Sequence, residues 1–151
     1  MLKNFILAIV ILASCGSLFT NTGGKAEAAT INYHTKAIQI AKAELGVPYR
    51  YGGITQSGFD CSGLVKFSYG VAGRTLNRTA AQMFYGNGYH VSSLQPGDLM
   101  FFAPTKVSAP THVAMYIGNG QMVMASSSKG VMITTTNNSY WHPLYIGAKR
   151  V

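Results

Sequence analysis

The sequence predicts an α+β domain in which helices come first along the chain and antiparallel strands follow. Apolar residues recur at helical spacing between residues 35 and 85, whereas short runs rich in Val, Ile, Phe and Met occupy residues 98–151. The triplet at residues 118–120 (GNG) separates two of these runs, which is typical of a β-hairpin. Because helices and strands are segregated, the sequence favours helices packed against one antiparallel sheet.

The composition is that of one folded domain. The chain has 151 residues, of which 48% are hydrophobic and 11% charged, and a disordered chain needs low hydrophobicity with high net charge. Its two cysteines exclude a small fold stapled by several disulfides, and they argue against a structural zinc site.

The N-terminus has the features of a secretory signal peptide. Lys3 precedes an apolar run at residues 5–13, and residues 26–28 (AEA) have the small-x-small form of a cleavage site. The run is shorter than the roughly 20 residues of a transmembrane helix, which argues against the alternative of a membrane anchor. We predict a signal peptide over residues 1–28 and a mature domain over residues 29–151.

A second processing route stays open. Residues 12–16 (LASCG) resemble a bacterial lipobox, in which Cys15 would be lipidated and become the mature N-terminus. Both routes predict export, so the protein is expected to be secreted or, in the alternative, lipid-anchored through Cys15.

Three helices are predicted in the first half of the mature domain. Residues 35–45 show helical spacing that stops at Gly46. Residues 61–72 form the second pattern, and Asp60 stands at the N-cap position, where its carboxylate can accept hydrogen bonds from the first turn. Residues 79–85 form a short third helix.

About five strands are predicted in the second half. Their boundaries are residues 98–103, 112–117, 121–126, 131–136 and 145–151. Lys149 and Arg150, in the last of these, are expected to be an ordinary solvated pair.

Cys61 is the best candidate for a nucleophile. It is the only cysteine of residues 29–151, and it opens a predicted helix, whose N-terminal N–H groups favour a thiolate. The alternative is that Cys61 is simply a small buried apolar residue.

His112 is the best candidate for the base, because it begins a strand and so lies near the end of an element. The competing histidines are each expected to be structural or exposed: His34 solvated before the first helix, His90 in a glycine-rich stretch, and His142 in a surface loop.

Five blocks in one order carry a family resemblance. They are residues 48–53 (PYRYGG), 60–65 (DCSGLV), 78–82 (RTAAQ), 95–99 (QPGDL) and 112–120 (HVAMYIGNG). The mature domain resembles the NlpC/P60 family of bacterial cell-wall cysteine peptidases. The resemblance implies a papain-like α+β fold and hydrolysis of peptidoglycan stem peptides, usually between γ-D-glutamate and the following diamino acid. It implies a protein that is secreted or associated with the cell wall.

The resemblance also assigns roles to individual residues. Cys61 matches the nucleophile and His112 the base. Tyr49 matches a tyrosine whose hydroxyl faces the nucleophile, and Asp60 and Ser62 flank the cysteine as in the motif, as residues that orient the substrate or oxyanion. The implied reaction needs no metal and no cofactor.

One position departs from the family pattern. Twelve residues after the base, where the family usually has a polar residue that orients the imidazole, this chain has Met124, which offers no N–H or O–H. A three-residue turn at residues 118–120 would put Met124 on the face of His112 and pair His112 with Ser126. We hypothesise that Ser126, a backbone carbonyl or water orients the base instead.

Three functions follow from this reading. The first is a stem-peptide endopeptidase that is slower than its relatives. The second is a cell-wall-binding module that lacks catalysis, and the third is a thiol amidase that cuts at the sugar–peptide junction.

The net positive charge of the chain indicates which partners it could bind. The whole chain carries a net +8, and residues 29–151 keep ten basic and three acidic residues, which suits anionic wall polymers. No nucleic-acid-binding motif accompanies this charge, so nucleic acid is not an expected partner. The protein is expected to be a monomer.

Overall fold

The computed structural model describes residues 23–151, with side chains described from residue 33 onward. Most of the predicted signal peptide, including Cys15 of the lipobox, lies outside the described residues. Among the helices that are described, none has the length and apolar character needed to cross a membrane.

Three α-helices come first in the chain. They are α1 (Gly23–Ala43), α2 (Cys61–Ala72) and α3 (Ala80–Gly86). The predicted start of the first helix, residue 35, is wrong: no glycine or proline interrupts residues 25–45, so nothing stops the helix from extending back to Gly23.

The second helix begins at the predicted cap, Asp60. Thr79, which was expected to be the first residue of the third helix, is instead the cap that precedes it. Asp60 accepts the N–H of Gly63 at the start of α2, and Thr79 forms a capping box with Gln82 at the start of α3. Gly73 ends α2 in the left-handed conformation, with φ of 98°. The boundaries predicted for α2 are confirmed.

A six-stranded antiparallel sheet forms the second layer, with the order β3-β8-β4-β5-β6-β7. Its strands are β3 (Tyr89–Val91), β4 (Leu99–Phe102), β5 (His112–Gly118), β6 (Gln121–Ser126), β7 (Gly130–Thr135) and β8 (Tyr145–Arg150). A small hairpin of β1 (Ile54–Thr55) and β2 (Gly58–Phe59) precedes α2, and a 3-10 turn (His142–Leu144) precedes β8.

The α+β class is confirmed, with one more strand in the sheet than predicted. The additional strand, β3, has only three residues, and it is held by pairing with β8 more than by burial of its own side chains. Such a short, exposed edge strand leaves little alternation in the sequence.

The sheet buries both of its faces. One face packs on the helices, and its core includes Leu64, Val113, Met115, Val123 and Ala125. The other face holds Met100, Phe102, Ala114, Met122 and Met124 and is covered by Trp141, Leu144 and Tyr145. His112 packs against Phe102 and Trp141, and so its ring lies on this second face.

The β5–β6 hairpin reaches the predicted register by another route. The turn has two residues, because Gly118 pairs with Gln121, and a bulge follows between Tyr116 and Gly118. The bulge adds the residue that the turn lacks, so Met115 pairs with Val123. The predicted three-residue turn is therefore wrong, but the face predicted for Met124 is right.

Two predictions of solvation are wrong. His34 is only 8% exposed, and its Nδ1 lies 2.7 Å from the hydroxyl of Tyr69. Lys149 is buried and donates to the carbonyl of Phe84, while Arg150 forms a two-point ion pair with the buried Asp98. Lys149 and Arg150 are not solvated because their strand, β8, lies inside the sheet between β3 and β4.

Candidate active site

Cys61 stands at the first turn of α2, and the backbone around it is tightly packed. Asp60, the N-cap, has φ of −87° and ψ of 177°, and its Oδ1 accepts the N–H of Gly63 at 2.7 Å. Gly63 itself has no room for a side chain, because a Cβ would collide with the carbonyl oxygen of Gly53. The loop before β1 is thereby pressed against the start of the helix.

Asp60 also anchors the neighbouring loops. Its Oδ2 accepts the N–H of Gly52 at 3.1 Å, and both carboxylate oxygens accept from Arg78, at 3.0 and 2.6 Å. Burial alone would raise the pKa of Asp60, but the hydrogen bonds from Arg78 and Gly63 outweigh burial and lower the pKa below its usual value. The carboxylate is therefore ionised and fully engaged.

Ser62 belongs to the same cluster. It is buried, and its hydroxyl accepts a hydrogen bond from Arg78 at 3.0 Å. Asp60 and Ser62 thus brace the helix start that carries Cys61.

The thiol of Cys61 lies near the backbone on both sides of His112. The Sγ atom lies 3.8 Å from the carbonyl oxygen of Thr111, and the backbone N–H of Val113 is near enough to lower the pKa of the thiol. Through this contact, the N-terminus of α2 meets the sheet at the start of β5.

Burial controls the ionisation of this thiol. It raises the pKa of Cys61 above its usual value, although the N–H groups of Val113 and Ser62 oppose the shift. The expectation that the helix N-terminus ionises the cysteine is therefore wrong for the resting site. Cys61 is a thiol at neutral pH.

His112 occupies an apolar slot on the other face of the sheet. Its ring stacks on the indole of Trp141, with centroids 4.1 Å apart and planes 20° apart, and it packs against Phe102 at 5.8 Å. Burial lowers the pKa of His112 to about 4, so the imidazole is neutral at pH 7. The buried Nε2 has no hydrogen-bond partner within residues 33–151.

The thiol and the imidazole approach the same end of β5 from two directions. Cys61 comes from the helix side and contacts the peptide groups that flank His112. No hydrogen bond directly joins the two side chains in the part of the chain that the structure describes. The resting pair is a neutral thiol next to a neutral imidazole, and not a preformed ion pair.

The replacement suggested for Met124 does not form. Met124 is fully buried in the apolar core of the second face. Ser126, the hydroxyl expected to orient His112, instead shares a hydrogen bond of 3.2 Å with Ser128. Ser126 is therefore not the acceptor for His112 in this structure, and the hypothesis for that residue is corrected.

Tyr49 lies beside the nucleophile in an open cleft of about 550 Å³. Burial raises the pKa of Tyr49, and the neighbouring Cys61 and Asp60 raise it further. Its hydroxyl is therefore protonated at neutral pH and can donate a hydrogen bond. This cleft is also lined by Tyr51, Gly52, Ser62, Arg78, Ala80, Pro110 and Thr111.

Two smaller clefts continue on the imidazole side. One, of about 240 Å³, is lined by Phe102, Thr111, His112 and Trp141. The other, of about 290 Å³, runs from Trp141 to Ser128 and Lys129. Because Thr111 lines both the nucleophile cleft and the imidazole cleft, and Trp141 lines the last two, the three follow one another along the surface.

Sequence reasoning did not connect two residues of this site, Arg78 and Trp141, with Cys61 or His112. Arg78 lies within one of the five ordered sequence blocks, residues 78–82, and this location could have identified it as a site residue. Trp141 is the only tryptophan of the chain, but nothing in the pattern around it predicts a contact with His112. Over the residues that the structure covers, no group of three or more His, Cys, Asp or Glu side chains is placed to hold a metal ion.

Comparisons with known proteins agree with this architecture. The model of the NlpC/P60 family matches residues 46–150. The chain is 41% identical over 116 residues to the Bacillus subtilis protein named "Probable peptidoglycan endopeptidase LytE", covering 77% of this chain and 34% of that protein. It is 39% identical over 155 residues to the Bacillus subtilis "Gamma-DL-glutamyl hydrolase", covering 99% of this chain and 37% of that protein.

A solved structure supports the fold. The crystal structure of an NlpC/P60 family protein from Bacillus cereus matches with a TM-score of 0.74 and 36% identity, covering 78% of this chain and 39% of that one. The chain spans about a third of the length of the two Bacillus subtilis relatives.

Proposed function

The chain belongs to the NlpC/P60 family, and on that premise we propose that it is an exported cysteine endopeptidase that hydrolyses the stem peptides of peptidoglycan. One observation carries the proposal: the Sγ atom of Cys61, at a helix N-terminus, lies against the two peptide groups that flank His112. The names of the two Bacillus subtilis relatives, a peptidoglycan endopeptidase and a glutamyl hydrolase, support this substrate class.

The proposed scissile bond joins γ-D-glutamate to the diamino acid that follows it. The five sequence blocks of the family motif support this choice, and so does the similarity to a gamma-DL-glutamyl hydrolase. The chain is proposed to act outside the cytoplasm, at the cell wall, as a monomer. The ten basic and three acidic side chains of residues 29–151 give the proposed mature domain a net charge of +7, which would favour contact with anionic wall polymers.

The proposed reaction starts from the neutral pair. His112 takes the proton of Cys61 as the sulfur attacks the carbonyl carbon of the substrate, and a tetrahedral intermediate forms. Donors near the start of α2, with the protonated hydroxyl of Tyr49, stabilise the developing oxyanion. The imidazolium of His112 then protonates the leaving amine, and a thioester with Cys61 remains. Water hydrolyses this thioester and regenerates the thiol.

The proton transfer has an energetic cost in this site. An imidazole whose pKa burial lowers to about 4 is a weak base at neutral pH. Within residues 33–151, no charged side chain acts on the pKa of His112 to offset this burial. We therefore expect hydrolysis by this site to be slow.

A second function is favoured by a specific observation. Met124 stands at the position of the third polar residue, and Nε2 of His112 lacks a partner among the described side chains. A wall-binding module without catalysis is consistent with this arrangement, because the cleft beside Cys61 would remain available to bind a stem peptide.

Digestion of purified peptidoglycan separates these functions. The whole chain and Cys61→Ala are incubated with cell-wall material, and the soluble products are identified by mass spectrometry. The endopeptidase predicts fragments that end in γ-D-glutamate, together with a free amine on the diamino acid, from the unmodified chain alone. Cleavage at the sugar–peptide junction would indicate the amidase. Equal wall binding by both proteins with no products would indicate the binding module.

A further inference from the structure

The ring of His112 is held by aromatic contacts. The indole of Trp141 lies parallel to it at 4.1 Å, and Phe102 packs against it at an angle. Residue 124, which could have supplied a hydrogen bond, is an apolar Met, and Ser126 is paired with Ser128. Among the described residues, the contacts that hold the imidazole are therefore aromatic packing contacts.

Trp141 is itself fixed by the loop between β7 and β8. Its backbone N–H donates to Oδ1 of Asn138 at 3.2 Å, and the N–H of the next residue, His142, donates to the carbonyl of Asn138 at 2.9 Å. The ring of Tyr140 packs edge-on against the indole, with centroids 4.9 Å apart. A turn organised by Asn138 thus presents the indole to the imidazole.

We propose that Trp141 is the positioning residue of His112, and that its stacked indole replaces the orienting hydrogen bond that residue 124 does not provide. The proposal deepens the proposed function and rests on it for its kinetic part. Stacking on the indole fixes the plane of the imidazole. It does not distinguish the two ring nitrogens, because a half-turn of the ring keeps the same plane. Stacking therefore does not select which ring nitrogen carries the proton, whereas a polar partner would.

Few ionisable groups surround this ring. The Cys61 thiol approaches from α2, Tyr145 packs on Phe102 from β8, and Tyr140 adjoins Trp141. Lys129 lines the neighbouring cleft together with Trp141. Protonation of His112 is thus opposed mainly by burial under the aromatic rings.

The sole tryptophan permits a test that does not use activity. A protonated imidazole stacked on an indole quenches its fluorescence, so the emission of Trp141 reports the charge of His112. The whole chain is titrated from pH 7 to pH 3, with His112→Gln as the matched control. We expect emission to fall with a midpoint near pH 4, the pKa of His112, and this transition to vanish in His112→Gln. An emission that does not change with pH, or that changes equally in both proteins, would overturn the proposal.

Kinetics test the positioning role. The variants Trp141→Phe, which keeps an aromatic face, and Trp141→Leu, which does not, are compared on peptidoglycan peptides. We expect Trp141→Leu to lower kcat roughly 10- to 100-fold, the scale of a misplaced catalytic group, with KM changed less than about twofold. Trp141→Phe should retain kcat within about threefold.

The pH dependence of kcat distinguishes a loss of positioning from a loss of folding, through the pKa seen on its acid limb. The acid limb should move toward the ordinary pKa of histidine in Trp141→Leu, because the ring loses its cover, and should stay in place in Tyr85→Ala, which removes an exposed aromatic residue elsewhere. Equal losses in Trp141→Phe and Trp141→Leu with an unchanged acid limb would contradict the proposal. If the unmodified chain has no activity, the proposed function fails, while the fluorescence titration still decides whether Trp141 holds His112.

Discussion

The carboxylate of Asp60 and the guanidinium of Arg78 form a two-point ion pair immediately before the nucleophile. Nη1 donates to Oδ1 at 3.0 Å and Nη2 donates to Oδ2 at 2.6 Å. The same carboxylate caps α2 and holds the N–H of Gly52. One charged side chain thus fixes the helix that carries Cys61 and two of the loops that border its cleft.

This pair should show strong thermodynamic coupling. Asp60→Ala leaves the guanidinium and two backbone N–H groups without their acceptor, so we expect it to lower the free energy of unfolding by about 3 kcal/mol. A double-mutant cycle with Arg78→Ala, followed by urea unfolding, should give a coupling of about 1–3 kcal/mol. The matched control pairs Asp60→Ala with Arg150→Ala, whose ion pair lies elsewhere, and should be additive. Additivity in both cycles would contradict this account.

A polar residue at position 124 should improve the base. Met124 lies on the same face of the sheet as His112, so the imidazole of Met124→His can offer a partner to the unbonded Nε2. We expect kcat to rise roughly tenfold or more, and the pKa seen in the acid limb to rise. Met124→Leu, which preserves volume and adds no polar atom, should change kcat less than about twofold. A folded Met124→His with the rate and pH profile of the parent would show that the missing partner does not limit catalysis.

Removal of the Ser126 hydroxyl should have little effect on catalysis. Ser126 bonds to Ser128 and not to His112, so Ser126→Ala is expected to keep kcat within about twofold, measured in the same peptide assay. Ser128→Ala, which breaks the same hydrogen bond from its other end, is the matched control. A large loss of kcat confined to Ser126→Ala would restore Ser126 as the residue that orients the base.

Stability should fall in acid through His112. Burial lowers the pKa of His112 in the folded chain to about 4, whereas histidine in an unfolded chain titrates near 6.5. Between these values the unfolded chain binds the additional proton, so the free energy of unfolding decreases as the pH falls, and below pH 4 this loss is complete. Burial also lowers the pKa of His34, which adds a loss of the same sign.

Urea unfolding at two pH values measures the share of His112. Between pH 7 and pH 4.5 the parent should lose about 2–3 kcal/mol more than His112→Gln, because only the parent carries this titrating group. Equal losses in the two proteins would mean that the imidazole of His112 is solvated in the folded state.

The sequence contains strong local signals for the parts of this fold that local chemistry sets. Asp60 directly before an apolar helical pattern gave the start of α2, and the alternation of β5 and β6 gave the face of Met124. These features depend on neighbours a few residues apart along the chain, where helix caps and strand periodicity operate.

The features that sequence reasoning missed depend on tertiary contacts. Nothing near Lys149 shows that β8 is inserted between β3 and β4, and nothing near His34 shows the hydroxyl of Tyr69. The ionisation of Cys61 was misjudged for the same reason, because burial by the sheet outweighs the favourable helix N-terminus. The partnership of Trp141 and His112 joins residues on a loop and a strand that are 29 positions apart.

Trapping with hydroxylamine tests covalent catalysis by Cys61 most directly. Peptidoglycan is digested in its presence, and the new carboxyl termini are weighed by mass spectrometry. A thioester on Cys61 divides between water and hydroxylamine, so we predict glutamyl hydroxamate beside the free acid from the unmodified chain and neither product from Cys61→Ala. Free acid alone, under conditions in which hydroxylamine cleaves a reference thioester, or cleavage that persists in Cys61→Ala, would contradict the assignment of Cys61 as the nucleophile.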